Sequence, residues 1–274
     1  MKKIGIIYNP TKDKAMDEVS KLKKWIAGRY CKAIAVSSAA KKFPHFDFAI
    51  TLGGDGTMLK ASRLLAPAGI PVLGINLGSL GFMAETSPGE AFAFIKDVIS
   101  DRYEIENRIM LNVTLRTKTR VVRNIALNDI VVHSGTIGRI VKISTEINGE
   151  YLATYIGDGV IVSTPTGSTA YSLAASGPIV YPKLEVLVIT PVCPHTLTQR
   201  PLIVSAAHSL KLKTLSKDSI EKPTLTIDGQ IKYALSSTDE ILVETAEHPL
   251  KLIVNPRHRY LSILRTKLKW GERG

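Results

Sequence analysis

The chain is poor in cysteine: Cys31 and Cys193 are the only two in 274 residues. They form no metal-ligand or redox spacing, which excludes a disulfide scaffold and a zinc ribbon and agrees with a reducing compartment. No apolar run reaches the length of a membrane span. The opening Met1-Lys2-Lys3 leads straight into the short run "IGIIY", where a secretory leader needs a longer apolar stretch and a small-residue cleavage site. The expectation is a cytoplasmic protein with no membrane partner. There is no internal repeat and no low-complexity linker. Neither G-x-G-x-x-G nor G-x-x-x-x-G-K-[ST] occurs, so the chain has neither the standard dinucleotide fingerprint nor a Walker loop.

The formal net charge of +12 invites a nucleic-acid reading, and its distribution argues against one. Residues 1–42 hold 11 Lys/Arg against 3 acids and residues 257–274 hold 6 against 1, while the stretch 43–256 holds 19 against 20. The excess sits in helix-patterned segments, where lysines line solvated faces. With no zinc-finger spacing and no basic–aromatic motif, nucleic acid is not an expected partner.

A hydrophobic content of 45% is that of a globular chain with a real core. The first hundred residues alternate. "KKIGIIYNP", "KAIAV", "DFAITL" and "IPVLGIN" read as strands; "DKAMDEVSKLKKWIAG", "TMLKASRLLA" and "PGEAFAFIKDVIS" read as helices. Such alternation implies βαβ units and a parallel sheet. After about residue 102 the pattern becomes a series of short β-rich runs, with Asn148-Gly149 and Asp228-Gly229 at hairpin positions. That describes an antiparallel β domain. The tail "YLSILRTKLKW" has helical spacing and is expected to return to the first domain. The expected division is 1–105 for the α/β domain, 106–254 for the β domain and 255–274 for the returning tail, with the ligand cleft between the two domains.

Two glycine clusters fall beyond the ends of the parallel strands, where ligands bind in such sheets: Gly53-Gly54-Asp55-Gly56-Thr57, and "GINLGSLGF" at 74–82. Glycines there let backbone approach a ligand closely, and the helix after the first offers free N–H groups to phosphate. Taken alone, this turn is better read as a tight connection whose Asp55 caps a helix, and the rest of the chain has to decide. The stretch "YIGDGVIVSTPTGSTAYSLAASGPIVYP" at 155–182 places Asp158 between glycines and then packs five hydroxyls into Ser163–Thr169. Such a run suits ribose, adenine edges and phosphate oxygens, or else simply caps a helix over 168–175. Asn128 and Asp129 form a third polar spot inside the β-run "NIALNDIVV".

Together these residues resemble the NAD kinases, which phosphorylate the 2′-hydroxyl of the adenosine ribose of NAD. Four motifs match in order: the GGDGT turn at 53–57, Asn128-Asp129, the block at 158–178, and "PVCPHTLTQRPLIV" at 191–204, with "DGQ" at 228–230 and the ending "KLKWGERG" alongside. The resemblance covers nearly the whole chain. It implies an α/β domain plus a β-sandwich domain completed by the C-terminal tail, matching the reading above.

It also implies roles. Asp55 would be the general base, with Gly56 beside the dinucleotide. Asn128 and Asp129 would hold ribose and adenine. Asp158 and the stretch Thr166, Thr169, Ala170, Tyr171, Ser172, Leu173 and Ala174 would form further contacts, and Lys60, Arg139 and Gln230 would line the site. The acceptor is NAD, and the phosphate donor is ATP or polyphosphate, with Mg²⁺ or another divalent cation arriving on the phosphates. The assembly expected is a homodimer or homotetramer. Two positions depart from the pattern. Asp129 stands where relatives usually have Glu, one methylene longer; Ile156 stands where many carry a basic residue, and offers no phosphate contact. Two other readings share parts of the pattern. A lipid kinase would keep the GGDGT turn beside an apolar pocket; a non-catalytic dinucleotide-binding regulator would not need Asp55.

Overall fold

The structure, a computed structural model, describes residues 1–11, 13–29, 31–78, 81–84, 86–135, 140–215 and 222–271. The chain divides into two units, Met1–Asn107 with Pro249–Gly274, and Arg108–His248.

The first unit begins as the alternation predicts: β1 Lys3–Tyr8, α1 Asp13–Ala27, β2 Lys32–Ser37, β3 Phe48–Leu52, α2 Asp55–Leu65, β4 Val72–Ile75, α3 Pro88–Ile99 and β5 Glu104–Arg108. β2, β1, β3 and β4 pair in parallel in that order. All residues of β3 and β4 are buried, which is why these strands are unbroken apolar runs rather than alternating ones. In α1 the buried residues Ala15, Val19, Leu22 and Ile26 recur at helical spacing and form one apolar stripe. α3 opens on Pro88, whose missing N–H costs nothing in a first turn, and buries Ala91, Phe94, Ile95 and Val98.

The second unit contains β6 Leu111–Arg116, β7 Val121–Ala126, β8 Asp129–His133, β9 Val141–Ile147, β10 Glu150–Gly157, β11 Gly159–Ser163, the short helix α4 Tyr171–Ala174, β12 Val186–Val192, β13 Leu202–Ser205, β14 Leu210–Thr214, β15 Thr224–Ile227, β16 Ile231–Ala234 and β17 Glu240–Thr245. Two antiparallel sheets form, ordered β10-β9-β14-β17-β6-β7 and β13-β12-β11-β8-β15-β16. One apolar core takes residues from both, Val113, Ile143 and Leu210 from the first and Ile130, Val160 and Leu225 from the second, as in a β-sandwich. Asn148-Gly149 and Asp228-Gly229 all take positive φ, as the hairpin reading requires.

Because side chains alternate, the second sheet has an outer face opposite that core. Cross-strand register places Asp129 beside Ser163, Val131 beside Ile161 and Thr226, and Thr226 beside Lys232, all on this face. His133 follows at the next same-side position of β8. Val131, Ile161 and Val192 make a small apolar cluster there against Ala175, just after α4.

The chain then leaves the second unit. β18 Leu250–Val254 lies in the parallel sheet between β4 and β5, with Leu252 beside Val72. The run "LKLIVN", expected in the β domain that ends at residue 254, belongs to the first unit instead. A short apolar run carries no mark of which sheet it joins. α5 Tyr260–Leu268 follows in the same unit, burying Ile263 and Leu264.

Candidate functional site

The GGDGT turn links β3 to α2. Gly53 has φ 151°, and a Cβ there would run into the hydroxyl of Thr57, so the bare backbone is a steric requirement. The N-cap of α2 is Gly54, with no side-chain cap, and Asp55 is the first helical residue. The capping alternative therefore does not hold. Instead Asp55 Oδ2 accepts the N–H of Phe82 at 3.2 Å and Oδ1 accepts that of Met83 at 3.3 Å. Phe82 ends the second glycine cluster and Met83 follows it directly. Gly81 approaches so closely that a Cβ would collide with the Asp55 carboxylate. The carboxylate is half-buried and aimed by two long backbone bonds, which leave lone pairs able to accept a further donor. Gly56 and Lys60 are exposed, one helical turn apart on α2.

In the second unit, Asn128 and Asp129 are held from two sides. Asp228, in the β15–β16 turn, accepts the N–H groups of Leu127 at 3.2 Å, Asn128 at 2.8 Å and Asp129 at 3.3 Å. On the other side the Asn128 carbonyl accepts the Thr164 N–H at 2.9 Å, and the Thr164 hydroxyl donates to the Leu127 carbonyl at 2.6 Å. Gly167 packs directly on the Asn128 backbone, leaving no room for a Cβ. With the backbone fixed, two polar atoms stay unsatisfied: Asn128 Oδ1 and Ser163 Oγ are buried with no partner among the described residues. Buried polar atoms of this kind are costly unless something supplies a partner. Asp129 is only 4% exposed. Burial, and then the like charge of Asp228, push its carboxyl up to about 7.

The hydroxyl-rich run differs from expectation. Most of its hydroxyls hold the loop rather than facing outward. Ser168 bonds the Pro165 carbonyl and the Val180 N–H, Thr169 donates to the Thr166 carbonyl, and Ser172 meets Thr190 at 2.9 Å. Gly177 lies against Ser172 and Thr190, so closely that a Cβ would collide with both. Thr166 and Ser172 are buried. The run shapes a rigid wall, and the helix expected over 168–175 is only a 3₁₀ turn at Gly167–Thr169 followed by the four residues of α4.

A cavity of about 610 Å³ opens on the outer face of the second sheet, lined by Asn128, Asp129, Asp158, Ala170 and Tyr171 among the expected residues. That volume lies in the range of ligand sites. A second cavity of about 470 Å³ shares Asp158, Tyr171 and Val192 with it and adds Ala174, Cys193 and Arg200. The Asp158 carboxylate accepts the Cys193 thiol, which holds that thiol above its usual range. Leu173 and Gln230 stand off both walls, and Arg139 lies outside the described residues. Wall residues not among those expected from the sequence include His133, Thr226, Asp228 and Lys232. Period-2 alternation from Asp129 would have found His133; Lys232 joins only through strand pairing.

Among the described residues no helix is long and apolar enough to cross a membrane, and no group of three or more His, Cys, Asp or Glu could hold a metal ion.

Comparison with known proteins bears on these two sites. The profile described as ATP-NAD kinase N-terminal domain matches residues 36–103, and that described as ATP-NAD kinase C-terminal domain matches residues 127–255. The chain is 40% identical over 288 residues to an NAD kinase of Geotalea daltonii, covering 100% of both chains. It is 46% identical over 228 residues to one of Geobacter metallireducens, covering 83% of this chain and 80% of the other. Among solved structures, yeast NADH kinase complexed with NADH superposes with a TM-score of 0.87 at 26% identity, covering 100% of this chain and 89% of that one. An NAD kinase from Archaeoglobus fulgidus in complex with ATP gives 0.78 at 25% identity, covering 97% and 98%.

Proposed function

The chain belongs to the NAD kinase family and is an NAD kinase, and from that premise we propose how its own residues divide the reaction. Asp55 is the general base. A ribose hydroxyl is a weak nucleophile near neutral pH, and a carboxylate within hydrogen-bond reach takes its proton as attack on the phosphate develops. The observation that carries this assignment is the aim of Asp55: its carboxylate leaves its own helix uncapped and is oriented by the Phe82 and Met83 amides.

Asn128 and Asp129 hold the adenosine end of NAD. The unsatisfied Asn128 Oδ1 is an acceptor suited to an amino or hydroxyl donor of the ligand. Asp158, Ala170 and Tyr171 form the wall beside it.

The donor is ATP. A divalent cation, Mg²⁺ by its usual partnership with triphosphates, neutralises phosphate charge when bound. Mg²⁺ keeps several waters and binds through substrate phosphates and one or two carboxylates rather than a protein cage. Residence in the cytoplasm and assembly into an even number of subunits belong to the same proposal.

The test is turnover of NAD with ATP and Mg²⁺, read by enzymatic detection of NADP. Phosphorylation of a lipid alcohol in place of NAD would support the lipid-kinase alternative. Binding of NAD without turnover would support the regulator.

A further inference from the structure

The cavity on the outer face of the second sheet has two chemically different ends. Asp129 begins β8 and His133 ends it. They point to the same side and lie about 13 Å apart along the strand. Asp228 adds a second carboxylate at the Asp129 end. At the other end stand His133 and Lys232, and both line the cavity.

Two observations fix what His133 offers. Its Nδ1 accepts the Gly135 N–H at 3.1 Å, so in the neutral ring the proton is on Nε2, which is a donor. Gly135 keeps that bond through φ +84°, pressed against the Lys222 carbonyl where a side chain would not fit. Burial and the neighbouring charge of Lys232 hold the imidazole below its usual range, so it is neutral at physiological pH. Lys232 is exposed and makes no ion pair among the described residues. Its ammonium presents three donors. Among the described residues lining this end of the cavity the one carboxylate is that of Asp158, which is bonded to the Cys193 thiol on the side of the second cavity.

We propose that Lys232 and His133 form a phosphate subsite that holds the diphosphate bridge of the dinucleotide while Asn128 and Asp129 hold its adenosine. The proposal rests on the reading of this cavity as the NAD site. A ribose hydroxyl donates, and the acidic end of the cavity accepts. A diphosphate only accepts, and at the far end the Lys232 ammonium and the Nε2–H of His133 are donors. A ribose with its 5′-linked phosphates bridges a separation of this order once the reach of the two side chains is subtracted.

The test is calorimetric titration of the full chain with NAD and with adenosine, which shares the nucleoside but has no phosphate. Lys232→Gln should weaken NAD by about tenfold, the usual worth of a charge-assisted hydrogen bond, and Lys232→Arg should restore most of it. His133→Gln should weaken NAD by about three- to fivefold, as for a neutral hydrogen bond. Adenosine should change by less than about twofold in all three variants. Unchanged NAD binding in Lys232→Gln, or an equal loss for NAD and adenosine, would overturn the subsite. Asp129→Ala separates the two levels. If it weakens both ligands while Lys232→Gln affects neither, the subsite alone is wrong. If Asp129→Ala also changes neither, the cavity is not the dinucleotide site and the subsite falls with it.

Discussion

Asp228 and Asp129 share one turn unequally. Asp228 gathers the N–H groups of Leu127, Asn128 and Asp129, while the Asp129 carboxyl, buried beside it, gains no hydrogen bond that favours its charge. The backbone that presents Asn128 is thus set by one acid at the expense of the other.

A pH dependence of stability follows. The carboxyl of Asp129 is raised from 3.8 to about 7 by burial first and by Asp228 second. The folded state then holds a proton that the unfolded state releases. The stabilisation is fully present below about pH 4 and is lost as pH rises to about 7. Asp129→Asn mimics the protonated form at all pH values. It should match wild type only below about pH 4, and its advantage should grow with pH to a few kcal/mol at about pH 7 and above, at about 1.4 kcal/mol per pKa unit. Urea denaturation of both proteins across this range checks it. A stability difference that stays flat with pH would show that Asp129 ionises freely in the fold.

Removing the same side chain should affect one substrate. Asp129→Ala is expected to raise the Michaelis constant for NAD by about ten- to a hundredfold, since a charge-assisted hydrogen bond is worth ~1.5–3 kcal/mol. The constant for ATP should move much less. Steady-state kinetics with each substrate varied in turn give the answer, and equal effects would remove Asp129 from the dinucleotide contacts.

Asp55→Asn keeps the shape of the side chain and one oxygen to accept an amide proton. The protein should fold with at most about 1 kcal/mol lost, the usual worth of one hydrogen bond, and should still bind NAD. Turnover should fall by roughly 10² to 10⁴, the contribution of a positioned general base. More than about a tenth of wild-type turnover at saturating substrates would leave Asp55 only an orienting role.

Two glycines allow contrasting tests. At Gly81 an added methyl meets the end of a side chain, the Asp55 carboxylate, which can swing away. Gly81→Ala should fold and lose turnover, because the base is displaced. At Gly167 the methyl meets the Asn128 backbone, which is pinned by Asp228 and Thr164 and cannot yield. Gly167→Ala should lower the melting temperature of the second unit and weaken NAD together. Melting curves beside kinetics separate the two outcomes.

The alternation of strands and helices, the hairpins and the loaded motifs were legible in the sequence because each is local. Buried parallel strands are apolar throughout, and Asn-Gly and Asp-Gly supply the positive φ that hairpins demand. Partnerships between distant residues were not. Nothing near Asp55 says that its acceptors point to amides at 82 and 83 rather than to its own helix. Asp228 reads as a turn residue, and its three bonds reach back a hundred positions. The hydroxyls of 164–172 look like ligand donors until their partners inside the loop are known. His133 was within reach of a simple alternation argument, whereas Lys232 depends on β15 and β16 pairing beside β8.

The place of β18 constrains how the chain assembles as it leaves the ribosome. β5 is made before the second unit, yet its neighbour in the sheet is β18, made after it. Until that late strand arrives, β4 and β5 both present unpaired backbone edges, the kind that recruit other chains. At about 5–20 residues per second, the first unit waits for the whole of the second to be synthesised. The second unit is contiguous in sequence and needs no such wait. The half of the molecule translated first is therefore the half completed last.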